Sequence, residues 1–553
     1  MQDSRLNFII LFLKIIAFGS CLVFIARHFF YEITPFTFSP TFIISLLLLF
    51  SLNFQTKTFQ KKNYFKLSHI LIIATLLLLV VHLRAGIFWA LNTFPLRDVY
   101  TVWHTLQEPF DDFAYSMVQQ YLIATIPQAL IITLILTAFL YLSLGSLKKR
   151  LIFIGTYFIA SIVFFVKDVP ISDYILVFYN ESSKNVFFSD FFDKNYVNPD
   201  SVKFQVPEHK RNLILIYIES LETSFADKEH GGNQNVNLMP EITEIAQQNI
   251  NFGKSDNNIG GGIDAVGSSY TFGAMYTRSL GIPHVSNYKD TPRLHNYKSL
   301  YTILSDYGYK QIFFQGNPGL YEQFQTFVSN QKIDEIYGPD DLIQRMNLDT
   351  ADLIKKQGFK TVPDKETFKF ANQILDTISE PFSLTFFTID THSPSGIYDP
   401  DCVKIADEND EDERLKASVR CVSRELKVFI DSLKNKAYYE NTSIVIFGDH
   451  LFMGTRLVKD FPNRKWIDIF INPAKDSVLE DNRIFSDMDM FPTILSSMSF
   501  DIKGDKLGLG TDLFSGKQTL AETISLDTLN REIMNISKHM TYENYLLQQK
   551  QAP

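Results

Sequence analysis

Three hydrophobic runs beyond residue 210 of this 553-residue chain stop at residues able to do chemistry. NLILIYI runs into Glu219-Ser220, FSLTFFTI into Asp390-Thr391-His392, and SIVIFG into Asp449-His450. Taken singly, a carboxylate at a strand end is most often a helix cap or a surface ion partner. Asp449-His450 says more, because adjacent residues offer an oxygen and a nitrogen ligand from one turn. Glu, Asp and His together suit one divalent ion, such as Mn2+ or Zn2+, with Mg2+ compatible. Three protein ligands leave a coordination position for a nucleophile or a substrate. A further candidate lies in IGGGIDAVGSSYTFGAMYTRSLGIP, residues 259–283. Here a glycine-rich loop enters a helix predicted from near Tyr270, with Ser268, Ser269 and Thr271 at its mouth. A hydroxyl there is ordinarily an N-cap. The same terminus favours anions such as phosphate, and a Thr alkoxide held by a metal would be an activated nucleophile.

The elements that must position these residues are short, apolar and β-rich: 212–220, 310–317, 382–390, 443–450 and 466–472. Helical patterns lie between them, including YKSLYTILSDYG, ETFKFANQILDTIS, ERLKASVRCVSRELKVFIDSLKN and SDMDMFPTILSSM. Near-continuous apolar strands alternating with helices predict an α/β domain with a mostly parallel sheet covered on both faces. In such sheets ligand chemistry gathers at the carboxyl ends of the strands, which is where the acids and imidazoles fall.

The first third is a different object. Residues 1–167 hold 13 Lys+Arg against 6 Asp+Glu, a net +7, whereas the other 386 residues hold 39 against 55, a net −16. Five apolar stretches, near 6–26, 36–54, 67–90, 121–144 and 151–166, predict five membrane helices. The first has no small-residue cleavage site and is followed by four more, so it does not read as a removable leader. Lys57, Lys61, Lys62 and Lys66 follow the second stretch, and Lys148, Lys149 and Arg150 follow the fourth. The loop between the third and fourth carries Glu108, Asp111 and Asp112. The positive-inside bias places the N-terminus in the cytoplasm and everything after the fifth span outside. Arg27 and Arg84, near the outer ends of spans one and three, are expected to snorkel to the interface or to hold anionic lipid headgroups.

These divisions give a transmembrane domain at 1–167, a Phe- and Tyr-rich membrane-surface connector at 168–210, a catalytic domain at 211–520 and a polar peripheral tail at 521–553. A single soluble domain and a disordered chain are excluded, the latter by 14% aromatics. Nucleic acid is excluded as a partner by the −16 charge of the exported part. Three cysteines exclude a disulfide scaffold or a thiolate metal cluster.

Five spans followed by an exported α/β domain with Glu219, Thr271 and Asp449-His450 resembles the lipoteichoic acid synthase and phosphoglycerol transferase group of the alkaline phosphatase/sulfatase superfamily. The likeness is greatest to the phosphoglycerol transferase I family, which modifies osmoregulated periplasmic glucans. It is carried by IYIESLE, the YT of SSYTFGAM followed by LGIP, FFQGN, FTIDTHSP, GDHLFM and LGLGTDLFSG. The resemblance implies that Glu219, Thr271, Asp449 and His450 ligate one divalent ion, with Thr271 also the nucleophile. His392 would sit beside the phosphate as hydrogen-bond donor or general acid, and Arg464 would be a substrate-binding basic residue. Cys402 and Cys421 match that family's cysteine pair, and a disulfide needs an oxidising space such as the periplasm. The implied donor is phosphatidylglycerol, and the implied acceptor a periplasmic glucan or related polyol, at a bacterial inner membrane with the catalytic domain in the periplasm.

The chain departs from the family after FFQGN, where relatives place an Arg and this sequence reads PGLYEQF. Asn317 and Tyr321 are the nearest polar candidates for substrate binding. The sulfatase pattern Cys/Ser-x-Pro/Ala-x-Arg is absent around Thr271. Rival expectations are a glycerol-phosphate polymerase, a lipid A phosphoethanolamine transferase and a non-catalytic sulfatase-like lipid sensor.

Overall fold

The computed structural model describes residues 67–93, 112–143, 146–168, 175, 189–284, 298–317, 327–357, 360–454, 456–458 and 461–534. The expected spans at 6–26 and 36–54, Arg27, Tyr321 and residues 535–553 lie outside the described residues. The chain divides into two units, one holding the apolar helices and one holding the α/β region.

The helical unit contains α1 (Leu67–Thr93), α2 (Asp112–Ser143) and α3 (Leu147–Asp168). Among the described residues, His69–Ala90 and Tyr121–Tyr141, of 22 and 21 residues, are long and apolar enough to cross a bilayer. They fall on the third and fourth expected spans, while α3 covers the fifth, with Lys148, Lys149 and Arg150 in its first turn and Lys167 and Asp168 at its end. Ile73, Leu77 and Val81 pack against Ala129, Ile132 and Leu136. The opposite faces are apolar as well, with Leu79, Ile123 and Leu134 exposed, as a helix in hydrocarbon requires. Tyr121 Oη lies 2.8 Å from His82 Nε2 and joins α2 to α1. Arg84 does not reach outward. It is 4% exposed, because it continues the buried stripe of Ile73, Leu77 and Val81, and its guanidinium carbon is 5.7 Å from the Phe88 ring.

The α/β unit is built on a six-stranded sheet. Its strands are β1 (Asn212–Ile218), β2 (Lys310–Gln315), β3 (Glu335–Tyr337), β4 (Phe382–Phe387), β5 (Thr442–Gly448) and β6 (Asp468–Ile471), in the order β3-β2-β4-β1-β5-β6. All neighbours pair in parallel except β5 and β6. Of these only β3 has no counterpart among the apolar runs, since its three residues are half-buried.

Alternation along the strands splits the core in two. Leu213, Leu215 and Tyr217 join one cluster with α5 (Thr271–Leu280) and α9 (Met490–Ser497). Ile214, Ile216 and Ile218 join the other with α4 (Pro240–Gln248), α7 (Asp364–Leu375) and α8 (Glu411–Leu433). The first cluster also receives α6 (Leu300–Asp306). The expected tail contributes to the same core: α10 (Leu526–Met534) buries Leu529 and Ile533, and Asn530 accepts the Val266 N–H at 3.0 Å. Its apolar stripe is narrow, so composition alone gives a polar tail from 521, yet the packed chain continues to Met534.

Cys402 and Cys421 are joined by a disulfide with Cα atoms 5.9 Å apart, pinning the loop after β4 to α8. By chain entropy alone such a short loop contributes roughly 3 kcal/mol at most.

Gly448 closes β5 where the chain must pass the turn after β1. A Cβ at Gly448 would sit 1.7 Å from the Leu221 carbonyl oxygen. Replacing Gly448 by Ala therefore forces β5 away from β1. The expected cost is about 1–3 kcal/mol of overpacking, with thermal midpoint and bound metal falling together in a melt run alongside a metal assay.

Candidate metal centre and active site

Parallel pairing of β1 and β5 brings Ile218 level with Gly448, so Glu219 and Asp449 emerge side by side at the carboxyl ends of central strands. The ligand atoms of Glu219, Asp449 and His450 all lie within 4.8 Å of one another, and all three residues are buried. His450 Nε2 is 3.5 Å from Glu219 Oε1 and 3.5 Å from Asp449 Oδ2. Its Nδ1 lies 2.8 Å from the Leu451 carbonyl oxygen, an acceptor only, so Nδ1 carries the hydrogen and Nε2 turns its lone pair toward the two carboxylates.

The surrounding backbone sets the aim of each group. Asp449 Oδ1 accepts the N–H groups of Ser220 and His450, both at 2.7 Å. Asp449 Oδ2 is buried with no hydrogen-bond partner. Ser220 occupies the left-handed region at φ 51°, a conformation uncommon outside glycine, and from there its Oγ donates to Glu219 Oε1 at 2.5 Å. The Glu219 N–H donates to Thr388 Oγ1 at 3.1 Å, and Thr391 Oγ1 donates to the Glu219 carbonyl. A lone pair and two carboxylates converging out of water repel one another, and a divalent cation at their centre removes that cost. The unpartnered Asp449 Oδ2 is what such an ion would use, so the donor set fits one.

Burial, reinforced by the Asp449 carboxylate, pushes the Glu219 carboxyl up to about 8, with His450 opposing. The unfolded carboxyl loses its proton near the ordinary 4.5, while the folded, metal-free one keeps it to about 8. Metal-free stability thus falls as pH rises through that window, by up to about 1.4 kcal/mol per pH unit for one proton. A cation must displace the same proton. Metal affinity measured by competition with a chelator is therefore expected to rise roughly tenfold per pH unit below 8 and to level off above it.

Around His392 the chain is locked to α7. Asp364 Oδ1 accepts the N–H groups of Ile389 and Asp390 at 2.6 and 3.1 Å, and Asp390 Oδ2 accepts that of Asp364 at 3.2 Å. Burial raises both carboxyls, Asp364 to about 7 and Asp390 well above its ordinary value. The half-buried His392 holds Nδ1 2.7 Å from the Ser393 carbonyl oxygen, which makes Nε2 the basic nitrogen. Burial lowers its proton affinity, against the opposing pull of Asp449.

Thr271 is the first residue of α5, half-buried, and the N-cap Tyr270 makes no side-chain cap bond. Of the other hydroxyls at that mouth, Ser268 donates to Asp487 and to the Ala265 carbonyl and serves the scaffold. Asn317 is half-buried just beyond β2, at the sheet edge that carries the other strand ends. Arg464, expected to bind substrate, is paired with an acid. Its Nε lies 2.9 and 3.0 Å from the two oxygens of the fully buried Glu222, and its Nη2 donates to Glu222 and to the Phe452 carbonyl. The guanidinium neutralises a buried acid and ties the loop after His450 to the turn after β1.

The sequence places Ser220 and Thr391 at strand ends without revealing their partners, and it does not single out Thr388 or the Glu222–Arg464 pair. Their roles arise from partners 169, 172, 229 and 242 residues away along the chain.

A family model described as Sulfatase matches residues 211–500. Among curated proteins, phosphoglycerol transferase I of Escherichia coli (strain 55989 / EAEC) is 26% identical over 329 residues, covering 57% of this chain and 40% of the relative. The phosphoglycerol transferase I of Escherichia fergusonii is 27% identical over 331 residues with the same coverages. The chain thus spans about two fifths of the length of the curated relatives it matches. Among solved structures, the lipoteichoic acid synthase LtaP of Listeria monocytogenes aligns with TM-score 0.43 and 18% identity, over 57% of this chain and 79% of that one.

Proposed function

Because the chain belongs to the sulfatase family through residues 211–500, we propose that its α/β unit is the catalytic part of a membrane-anchored transferase. It moves phosphoglycerol from phosphatidylglycerol to a hydroxyl of a periplasmic glucan or related polyol. The observation that carries this reading is the buried convergence of Glu219, Asp449 and His450, with the unpartnered Asp449 Oδ2 at its centre. The names of the curated relatives support the choice of phosphoglycerol as the transferred group.

Glu219, Asp449, His450 and Thr271 would hold one divalent ion, manganese or zinc by its donor set. When bound it supplies positive charge to the phosphate oxygens and lowers the proton affinity of the Thr271 hydroxyl. Thr271 Oγ, its proton lost to solvent, attacks phosphorus, and the bond from phosphorus to the diacylglycerol oxygen breaks. The anionic phosphate raises the proton affinity of the adjacent His392. Nε2 can then hand a proton to the leaving oxygen, completing diacylglycerol and leaving glycerophospho-Thr271. In the second half the acceptor hydroxyl gives its proton back to His392 Nε2 and attacks phosphorus, and Thr271 Oγ leaves and takes a proton back from solvent. The buried Asp364–Asp390 lock keeps the His392 loop in place through both halves. The two apolar helices would tether the chain to the membrane that holds the lipid donor.

The test is donor exchange with the purified full chain in lipid nanodiscs, supplied with glucan. Transfer of phosphoglycerol from phosphatidylglycerol, one unit per acceptor position, is the expected result. Transfer only from phosphatidylethanolamine, or growth of a glycerol-phosphate polymer, would overturn it in favour of a different donor or acceptor.

A further inference from the structure

Arg278 stands seven residues after Thr271 on α5, two helical turns along, and is fully buried, as is Asp487. The two form an ion pair, with Arg278 Nη2 and Nε at 2.7 and 2.8 Å from Asp487 Oδ1. The second oxygen of Asp487 accepts the Ser268 hydroxyl at 2.7 Å and the Ala265 N–H at 3.2 Å. One carboxylate thereby holds the chain on both sides of Thr271: the loop three residues before it and the helix seven residues after. The guanidinium reaches further. Its Nη1 donates to the Gly448 carbonyl at 2.9 Å, and the next residue is Asp449. Three aromatic rings box it in, Trp466 at 4.1 Å, Phe447 at 4.8 Å and Tyr217 at 5.7 Å from ring centroid to guanidinium carbon.

A pair this deeply buried is poorly explained as a source of stability, since apolar residues of similar volume generally do as well or better. What apolar residues cannot do is fix direction. A planar fork with one branch on Asp487 and another on the Gly448 carbonyl sets the distance and angle between α5 and the end of β5. We propose that Arg278 and Asp487 are positioning residues that hold Thr271 in register with Asp449. This inference rests on the transferase reading for its kinetic consequence, but not for its geometric one. A displacement of about 1 Å in a reacting group can cost about a hundredfold in rate.

The decisive variant is the double replacement Arg278→Met with Asp487→Leu in the full chain, which removes the ties while keeping the volume filled. The single Arg278→Lys keeps the charge and loses the fork. In both, kcat is expected to fall about a hundredfold while KM for phosphatidylglycerol stays within about threefold. The double variant is expected to keep its thermal midpoint to within a few degrees. Its crystal structure is expected to show Thr271 displaced from Asp449 by about 1 Å or more. An unchanged Thr271–Asp449 separation would overturn the inference, as would wild-type kcat in the folded double variant. If the unsubstituted chain moves no phosphoglycerol, the transferase reading fails, and the crystallographic comparison alone decides whether the pair positions Thr271.

Discussion

Replacing Thr271 by alanine is expected to abolish phosphoglycerol transfer while leaving the fold in place. The substitution removes one hydroxyl from the half-buried first position of a helix. The helix is held elsewhere, through Phe272, Met275, Tyr276 and Leu280 in the core. Ala is favourable within a helix, so little is lost in stability, well under about 1 kcal/mol. The chemistry has no comparable substitute, because the step from lipid to protein requires an oxygen at that place. A loss of at least about a thousandfold in kcat/KM, roughly 4 kcal/mol of transition-state stabilisation, is expected with labelled phosphatidylglycerol. Thr271→Ser keeps the oxygen and should retain measurable transfer. An alanine variant that folds and still transfers within about tenfold of wild type would remove Thr271 from the mechanism.

Replacing Asp449 by asparagine is expected to have the next largest effect, and to act in opposite directions on metal and on stability. Asn Oδ1 can still accept the N–H groups of Ser220 and His450 that Asp449 Oδ1 accepts at 2.7 Å, so the turn after β5 persists. The position of Oδ2, unpartnered and 3.5 Å from His450 Nε2, becomes an uncharged amide nitrogen that cannot ligate a cation. Metal content of the purified chain should fall from one ion toward none, and transfer should fall with it, by a hundredfold or more. The metal-free variant should nonetheless melt higher than the metal-free wild type above pH 5, because a buried carboxylate that repels Glu219 has gone. Relieved of that neighbour, Glu219 should titrate below its present value of about 8. Metal bound at wild-type stoichiometry by Asp449→Asn would contradict the ligand assignment.

The strand ends were the part of the site most open to sequence reading. Glu219, Asp449 and His450 follow directly on apolar runs that must be central strands, and parallel pairing then brings them together without further information. The partner of Arg464 is not legible in the sequence, because a basic residue near a phosphate motif looks the same whether it faces a substrate or a buried acid. Glu222, the acid that claims it, lies 242 residues earlier in the chain. Arg278 and Asp487 were invisible for the same reason: helix periodicity puts a cation on α5 but does not reveal which carboxylate is folded onto it 209 residues later. The edge strand β3 is three residues of mixed polarity, too short to carry a period. Leu529 and Ile533 sit on a one-residue-wide stripe in an otherwise polar stretch, and their burial depends on the cluster built by α5 and α9. Distance along a hydrophobic span places Arg84 near an interface, whereas its burial follows from the face of α1 it shares with Leu77 and Val81.

The two-step transfer requires a covalent link between Thr271 and the transferred group. The direct measurement is to incubate the metal-loaded full chain with phosphatidylglycerol in the absence of acceptor, quench in acid and sequence the tryptic peptide 255–278 by mass spectrometry. The predicted result is a glycerophosphoryl group on Thr271, discharged when glucan is added before the quench and absent from Thr271→Ala. Rapid transfer with no modified peptide at any time, or the group found on another residue, would contradict it.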